Sequence, residues 1–421
     1  MTEVAVVGGG LAGLVAARTL ADSGRDVTLF ERADSVGGRV RSREVDGFTL
    51  DRGFQVMFTA YPAVQRELDL DALDLRYFKA GATIARPGQR AILSDPLRDP
   101  TALSASLFNR EVTFADKLRT LKLRRDLTNQ SVEEALGHDD QSIAAYLADR
   151  GFSPAFRENF AAPFYGGITL DRSLSTSRAI FEYTFKMLSE GKTAVPADGM
   201  GAITAQLAQR AREAGATIHT DTTVESVESD GSSGDSVTIT AGSETVTADA
   251  AIVATDPPTA RELTGVDSIP TAARSCVTQH FRLPSTQHFT SGKRLILNAA
   301  DDRPNQVAPM SAVAPELTPD DEKLLSATFL GQQDESDQEL AEEVRDALTS
   351  WYPENQFSGL ELLATDRIKF AQFDQQPGFR ADLPGVDDPA GPVYLAGDYT
   401  QWSSIQGAME SGREAALAAL E

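Results

Sequence analysis

An α/β fold is predicted for this chain: a Rossmann-like nucleotide-binding domain joined to a second, α+β domain that contains a helical part. Three observations predict it. A short β-branched run near the start ends in a glycine cluster that opens a helix. The far end repeats that order of strand, glycine and helix, and between the two ends residues 95 to 190 carry helical periodicity with few strand signals. With 421 residues, 41% of them hydrophobic, there is material for two or three domains with a sizeable core.

The first element is the run Glu3-Val4-Ala5-Val6-Val7, followed by Gly8-Gly9-Gly10-Leu11-Ala12-Gly13 and by helix-forming residues from Leu14 to Ala21. A second strand, Asp26 to Phe30, ends at Glu31, eighteen residues beyond Gly13 and close to the ~20 at which a ribose-binding acid is expected. The spacing has a chemical sense. Gly8 permits the turn, Gly10 lets the backbone approach a pyrophosphate, and Gly13 lets the helix pack closely on the strand. The helix start at Leu11 and Ala12 then offers free N–H groups and a positive dipole end to the phosphates.

Further along, Thr113 to Leu127 and Ser173 to Glu190 read as helices of the second domain. Residues 222–227, 237–240 and 244–247, with a polar loop from Ser229 to Ser236, read as a small antiparallel meander. An apolar strand, Ala250 to Ala254, is halted by Pro257 and Pro258. Strand-like runs at Lys293 to Asn298 and Leu325 to Leu330 and a helix near Gln338 to Trp351 follow. A strand at Val393 to Ala396, Gly397-Asp398 and a helix from about Ile405 close the chain. The nucleotide-binding domain is therefore expected from residues 1–85, 195–260 and 385–421. Residues 86–194 and 261–384 form the substrate domain, with its helical part around 95–190.

Composition narrows the function classes. Against 39 Lys and Arg stand 62 Asp and Glu, a net charge of −23 that repels phosphate backbones and disfavours nucleic-acid binding. Only eight of the basic residues are Lys, and this Arg bias beside the acid excess resembles proteins of salt-loving cells, although a merely acidic mesophilic enzyme reads the same way. The single Cys276 excludes an intramolecular disulfide framework and fits a reducing cytoplasmic compartment. A strand begins almost at once after Met1, leaving no room for a signal peptide, and no apolar run approaches the ~18 residues of a membrane span. The four His residues, His138, His219, His280 and His288, show no metal spacing, so no metal site is expected.

Taken with Gly37-Gly38-Arg39-Val40-Arg41-Ser42, Gly47 to Phe54, and the string Tyr394 to Thr400 followed by Ser404-Ile405-Gln406-Gly407-Ala408-Met409-Glu410-Ser411-Gly412, these features resemble the flavin-dependent amine oxidase and carotenoid desaturase superfamily. The C-terminal string is similar to that of plant-type phytoene and zeta-carotene desaturases. The resemblance implies FAD, with Glu31 and its neighbour Arg32 at the adenosine ribose and Gly38 and Arg39 near the phosphate or flavin side. It implies Val224 beside the adenine and Ala254 near the cofactor. Gly397 and Asp398 would stand at the ribityl chain or pyrophosphate, and the helix start at Ser404, Ile405 and Gly407 would point at the flavin pyrimidine edge. A reduced flavin carries negative charge there, which a helix N-terminus stabilises with about half a positive charge. Covalent members of the family tether flavin through a Cys near the C-terminal motif. Cys276 lies far upstream, so FAD is expected to bind noncovalently. Lys293 and Lys369 are candidates for the lysine that holds a water at flavin N5 in many amine oxidases, although a solvated Lys is the commoner case. Asp51 reads as a turn or cap residue, and no catalytic residue is assigned. Val195 to Gly201 resembles the family block that returns the chain to the FAD domain.

On the substrate side, Phe160 to Ile168 and Phe181 to Leu188 concentrate aromatics in a chain that is 7% aromatic. They line an apolar tunnel or form the core of the helical part. Near 113–127, Phe114, Leu118 and Leu121 share one helical face flanked by Lys117 and Lys122. That pattern suits an interfacial helix docking on a membrane, and equally a core-packed helix whose basic groups answer acidic neighbours. The expected function is FAD-dependent abstraction of hydride from a hydrophobic small molecule, polyisoprenoid or carotenoid desaturation foremost. Amine or protoporphyrinogen oxidation, and a flavin-containing binding or sensory protein, are the alternatives. The expected location is the cytoplasm, free or peripheral on the inner face of the membrane, with the oligomeric state open.

Overall fold

The computed structural model describes residues 3–94, 111–131, 139–229, 236–287 and 289–421. The opening strand Glu3–Val7 lies in the middle of a five-stranded, all-parallel sheet. Asp26–Phe30 and Ala250–Val253 flank it, and Thr217–His219 and Val393–Leu395 form the edges. A parallel sheet covered on both faces needs apolar side chains on both, and Val4 to Val7 and Ala250 to Val253 are buried without alternation.

The helix Leu11–Asp22 is enclosed nearly all round, with Leu14, Val15, Ala16, Ala17 and Leu20 fully buried. Its small side chains let the last helix, Ile405–Ala418, come so close that a Cβ on Gly412 would stand 2.1 Å from the carbonyl oxygen of Ala12. The meander is a three-stranded antiparallel sheet of Val224–Ser229, Val237–Ala241 and Glu244–Ala248, and Val237, Ile239 and Ala241 join the same core. Most of its polar loop, residues 230–235, lies outside the described residues. Pro257 and Pro258 do more than halt the preceding strand. They occupy the first turn of the helix Pro257–Thr264, where their missing N–H groups cost nothing, and Asp256 caps it.

A second, seven-stranded sheet runs in the order 361–373, 273–284, 322–330, 306–308, 295–298, 82–86 and 89–93. The domain boundary expected at residue 85 falls inside the strand Ala82–Arg86. That strand pairs in parallel with Leu295–Asn298 and in antiparallel with Gln89–Leu93, so the hairpin belongs to this sheet. The helix Asp337–Trp351 buries Leu340, Val344, Leu348 and Trp351 against it.

The helical part has its own core, built from Leu123, Leu127, Tyr146, Phe152, Phe156, Tyr165 and Phe181 among others. Thr113 and Asp116 form a capping box that starts the helix Phe114–Thr128. The helix expected from Ser173 starts five residues later, at Arg178. Asp171 takes the backbone N–H and hydroxyl groups of both Ser173 and Ser175, which holds that stretch as a turn, and Ser177 is the cap. No helix among the described residues is long and apolar enough to cross a membrane.

Candidate functional site

A cavity of about 1600 Å³ runs from the C-terminal edge of the parallel sheet into the helical part. Sites for a single drug-sized ligand occupy ~300–1,000 Å³, so this one has room for a dinucleotide and a second ligand together.

Its polar end is built largely from backbone. Gly8 adopts φ +108°, and a Cβ there would meet the Ala254 carbonyl oxygen at 2.6 Å. Gly10, by contrast, has nothing within 4 Å of the place a Cβ would take, so its bare Cα borders open space. The next helix has no side-chain cap and no acid in its first turn. The N–H groups of Leu11, Ala12 and Gly13 find no partner among the described residues, and Leu11 and Ala12 line the cavity. Unpartnered N–H groups at a helix start, together with the positive end of its dipole, favour an anion.

The carboxylate of Glu31 is 8% exposed and accepts the N–H groups of Gly9 at 2.7 Å and Ala33 at 2.9 Å, which fixes its direction at the cavity wall. Arg32 stands at the rim and pairs with Asp256 at 3.1 Å. Gly38, Val224 and Ala254 line the wall between them. Opposite, Gly397, Asp398, Ser404 and Ile405 bring the start of the last helix to the cavity. Ser404 caps that helix by accepting the Gly407 N–H at 2.8 Å, while the N–H groups of Ile405 and Gln406 have no partner among the described residues.

Two of the expected cofactor residues, Gly13 and Gly407, lie off the cavity wall. Gly13 is off the cavity wall because the Gly8 carbonyl oxygen would lie 1.9 Å from its Cβ, and its task is the close packing of helix on strand. Gly407 is off it too, and it is small because the Trp402 carbonyl oxygen would lie 2.2 Å from a Cβ there. Asp398 lines the cavity and is held in place by two neighbours. One of its oxygens is taken by Arg39 at 2.6 Å and the other by the Ser403 hydroxyl at 2.7 Å. Burial works against the Arg39 charge, and Asp398 more than offsets it, holding the guanidinium above its ordinary range.

Beside Gly53 a buried network fixes the wall. Asp366 accepts the Gly53 N–H at 3.1 Å and pairs with Arg43 at 2.8 Å, while His280 approaches it at 3.3 Å and Ser326 at 2.9 Å. Burial pushes the Asp366 carboxyl up, but His280, Arg43 and Gly53 outweigh it and hold it near 2. Asp51 accepts Ser42 and the N–H of Met200, which ties the hairpin 42–51 to residues 199–201. Lys369 lines the cavity but is exposed, whereas Lys293 is exposed and off the wall. Cys276 lines the cavity despite its distance in sequence, and burial pushes its thiol up to about 12. No metal-holding group of His, Cys, Asp or Glu exists among the described residues, while His138 and His288 lie outside them.

The other end is aromatic. Phe152, Phe156, Phe160 and Phe164 recur every fourth residue across a π-helical turn at Arg157–Ala161, with ring centroids 4.5, 5.5 and 5.2 Å apart. Tyr165, Phe181 and Phe185 continue the row. All seven line the cavity and at the same time belong to or pack on the helical core, so both readings of this cluster hold. At the rim, the helix Phe114–Thr128 turns Phe114, Leu118 and Leu121 outward, 64%, 52% and 45% exposed, and buries Leu123 and Leu127 instead. Gln306, on the short strand Gln306–Ala308, also lines the wall, and no motif in the sequence singles it out.

The polar end thus fits a dinucleotide flavin: a bare-glycine cradle, two helix starts with unpartnered N–H groups, an oriented carboxylate and a half-buried arginine. A family model described as flavin containing amine oxidoreductase matches residues 11–420. A carotenoid 3,4-desaturase of Haloarcula japonica is 27% identical over 253 residues, 53% of this chain and 50% of that protein. A 4,4'-diapolycopen-4-al dehydrogenase of Metabacillus indicus is 26% identical over 317 residues, 67% of this chain and 62% of that protein. The chain thus spans about half to three-fifths of the length of these curated relatives. Among solved structures, an oxidoreductase from Methanosarcina mazei superposes with a TM-score of 0.74 at 19% identity, covering 99% of this chain and 100% of that one. At that identity the likeness speaks for the fold.

Proposed function

The chain belongs to the flavin containing amine oxidoreductase family, and from that footing we propose that it is an FAD-dependent oxidoreductase taking hydride from a long apolar substrate of polyisoprenoid or carotenoid type. One observation carries the reading. A single cavity joins a glycine cradle between two helix starts to a wall of stacked aromatic rings.

Bound FAD supplies the two-electron acceptor, and the chain holds and orients. Gly10 and the N–H groups of Leu11 and Ala12 receive the pyrophosphate, and Glu31 the adenosine ribose, with Arg32 at the rim. Gly8, Gly38, Val224 and Ala254 shape the adenosine channel. Arg39, steadied by Asp398, faces the phosphates, and the helix start at Gly397, Ser404 and Ile405 faces the ring. Gly13 and Gly407 act through packing. The aromatic faces suit an extended, polarizable chain and attract the positive charge that grows on it as hydride leaves.

The rim helix fits the delivery of such a substrate. Three outward apolar side chains beside the exposed Lys122 and Arg125 form a local basic, apolar face in a chain of net charge −23. We read it as the contact with an anionic bilayer surface, on the inner face of the membrane. Flotation with anionic vesicles should carry the protein upward. Changing Phe114, Leu118 and Leu121 to Ser should leave it at the bottom, and co-flotation of that variant would contradict the contact.

The function itself is tested by anaerobic titration of FAD-loaded protein. An acyclic polyene dispersed in micelles should bleach the flavin's visible band and return a product of longer conjugation, while simple amines leave the band unchanged. Bleaching by amines alone would overturn the reading.

A further inference from the structure

Within the aromatic tunnel one polar group stands uncommitted. Gln306 is 2% exposed, and its Oε1 accepts the Asn305 Nδ2–H at 2.8 Å. Asn305 itself is fixed at both ends. Its Oδ1 accepts Arg172 at 3.0 Å, and its Nδ2 also donates to the Pro163 carbonyl at 3.0 Å. A guanidinium can only donate, so the orientation of both amides follows from it. Gly167 leaves the space for this approach, since a Cβ there would stand 2.0 Å from Gln306 Oε1. The Nε2 of Gln306 is left without a hydrogen-bond partner among the described residues, on a residue that lines the cavity beside Gly167.

That donor opens onto the cavity, and a chain of oriented amides running back to an arginine strengthens it as a donor. Another amide on the wall, Gln372, spends its Nε2–H on the Ile168 carbonyl at 2.7 Å, whereas that of Gln306 is spent on no protein group among the described residues. We propose that Gln306 is a specificity-determining residue whose Nε2–H donates to an acceptor oxygen, a carbonyl or hydroxyl, carried by the apolar substrate. The substrate class is then an oxygenated polyene rather than a bare hydrocarbon. This rests on the reading that the tunnel holds the substrate.

The test uses FAD-loaded protein and two acyclic polyenes of equal length, one ending in an aldehyde and one in a methyl group, with binding followed by tryptophan fluorescence under anaerobic conditions. The aldehyde should bind about tenfold tighter, the worth of one well-made hydrogen bond in a dry site. Its carbonyl stretch should move to lower frequency in resonance Raman spectra. Gln306→Met should bring the ratio of the two affinities to about one and return the stretch to its free value. Asn305→Asp, which would draw the Gln306 amide round to donate to the new carboxylate, should do the same without touching Gln306. Equal binding of the two polyenes by the unaltered protein, or a preference that survives Gln306→Met with FAD content intact, overturns the assignment while sparing the tunnel reading. Binding of neither polyene overturns both.

Discussion

The two ends of the cavity are made of different materials. At the nucleotide end the working groups are backbone N–H groups, and side chains matter mostly by their absence. At the tunnel end the wall is side chain throughout. Backbone donors are placed by φ and ψ and by how near two elements can come, so the first end tolerates no bulk but needs no special residue at most positions. The rings of the second end form a wall with open space on one side, and individual rings can change if the row survives.

The largest effect that separates the ends is expected at Gly10. With nothing within 4 Å of its Cβ position and an ordinary φ of −77°, Gly10→Leu should fold normally and melt like apoprotein, yet retain no FAD by absorbance. Phe164→Ala should keep FAD and lose polyene-driven bleaching. If Gly10→Leu stayed yellow, the cradle would be misplaced.

Next in size is Leu14→Ala, which empties a fully enclosed site and should cost about 2–5 kcal/mol in denaturant unfolding. The half-buried Phe160 already borders open space, so Phe160→Ala should cost clearly less. Equal costs would erase the distinction between core and wall.

Asp398→Ala comes third. It frees Arg39 from its 2.6 Å partner and releases Ser403, and FAD retention should weaken by about 1.5–3 kcal/mol through the arginine. A double-mutant cycle with Arg39→Ala should recover most of that coupling.

Acid should reach the two ends unequally. The Asp366 carboxyl is held near 2, below its unfolded value, so its contribution is present above about pH 4 and is lost as pH falls toward 2, on the order of 1–2 kcal/mol. Unfolding free energy followed from pH 5 down to pH 2.5 should fall less steeply in Asp366→Asn. The smallest effect is that of salt. Screening of a −23 charge should raise the melting temperature between low and molar KCl, and a flat response would remove the salt-adapted reading.

Legibility in the sequence followed the same division. The glycine turn from Gly8 and the helix starts at Leu11 and Ile405 were readable because their spacing along the chain is the spacing the turn and helix impose. That the small size of Gly407 answers the Trp402 carbonyl is a contact no pattern reveals. The His280–Asp366 network and the Arg172–Asn305–Gln306 series were invisible. Strand pairing brings His280 to Asp366, 86 positions away, and the turn at Arg172 meets Asn305, 133 positions away, and a single sequence holds no mark of contact between segments so distant. The rim helix was readable as a face, but its outward direction depends on which neighbours bury Leu123 and Leu127.

The close seating of Gly412 on Ala12 has a consequence for the order of synthesis. The first helix is made within the opening twenty-odd residues, but the helix that completes the nucleotide end spans Ile405–Ala418. The parallel sheet likewise awaits Val393–Leu395 to close its edge. Until those segments leave the ribosome, the apolar strands of the parallel sheet have no finished partner, and contacts this distant in sequence form slowly. Cofactor loading is therefore a late event, and chains cut short before residue 405 should accumulate as colourless, aggregation-prone material.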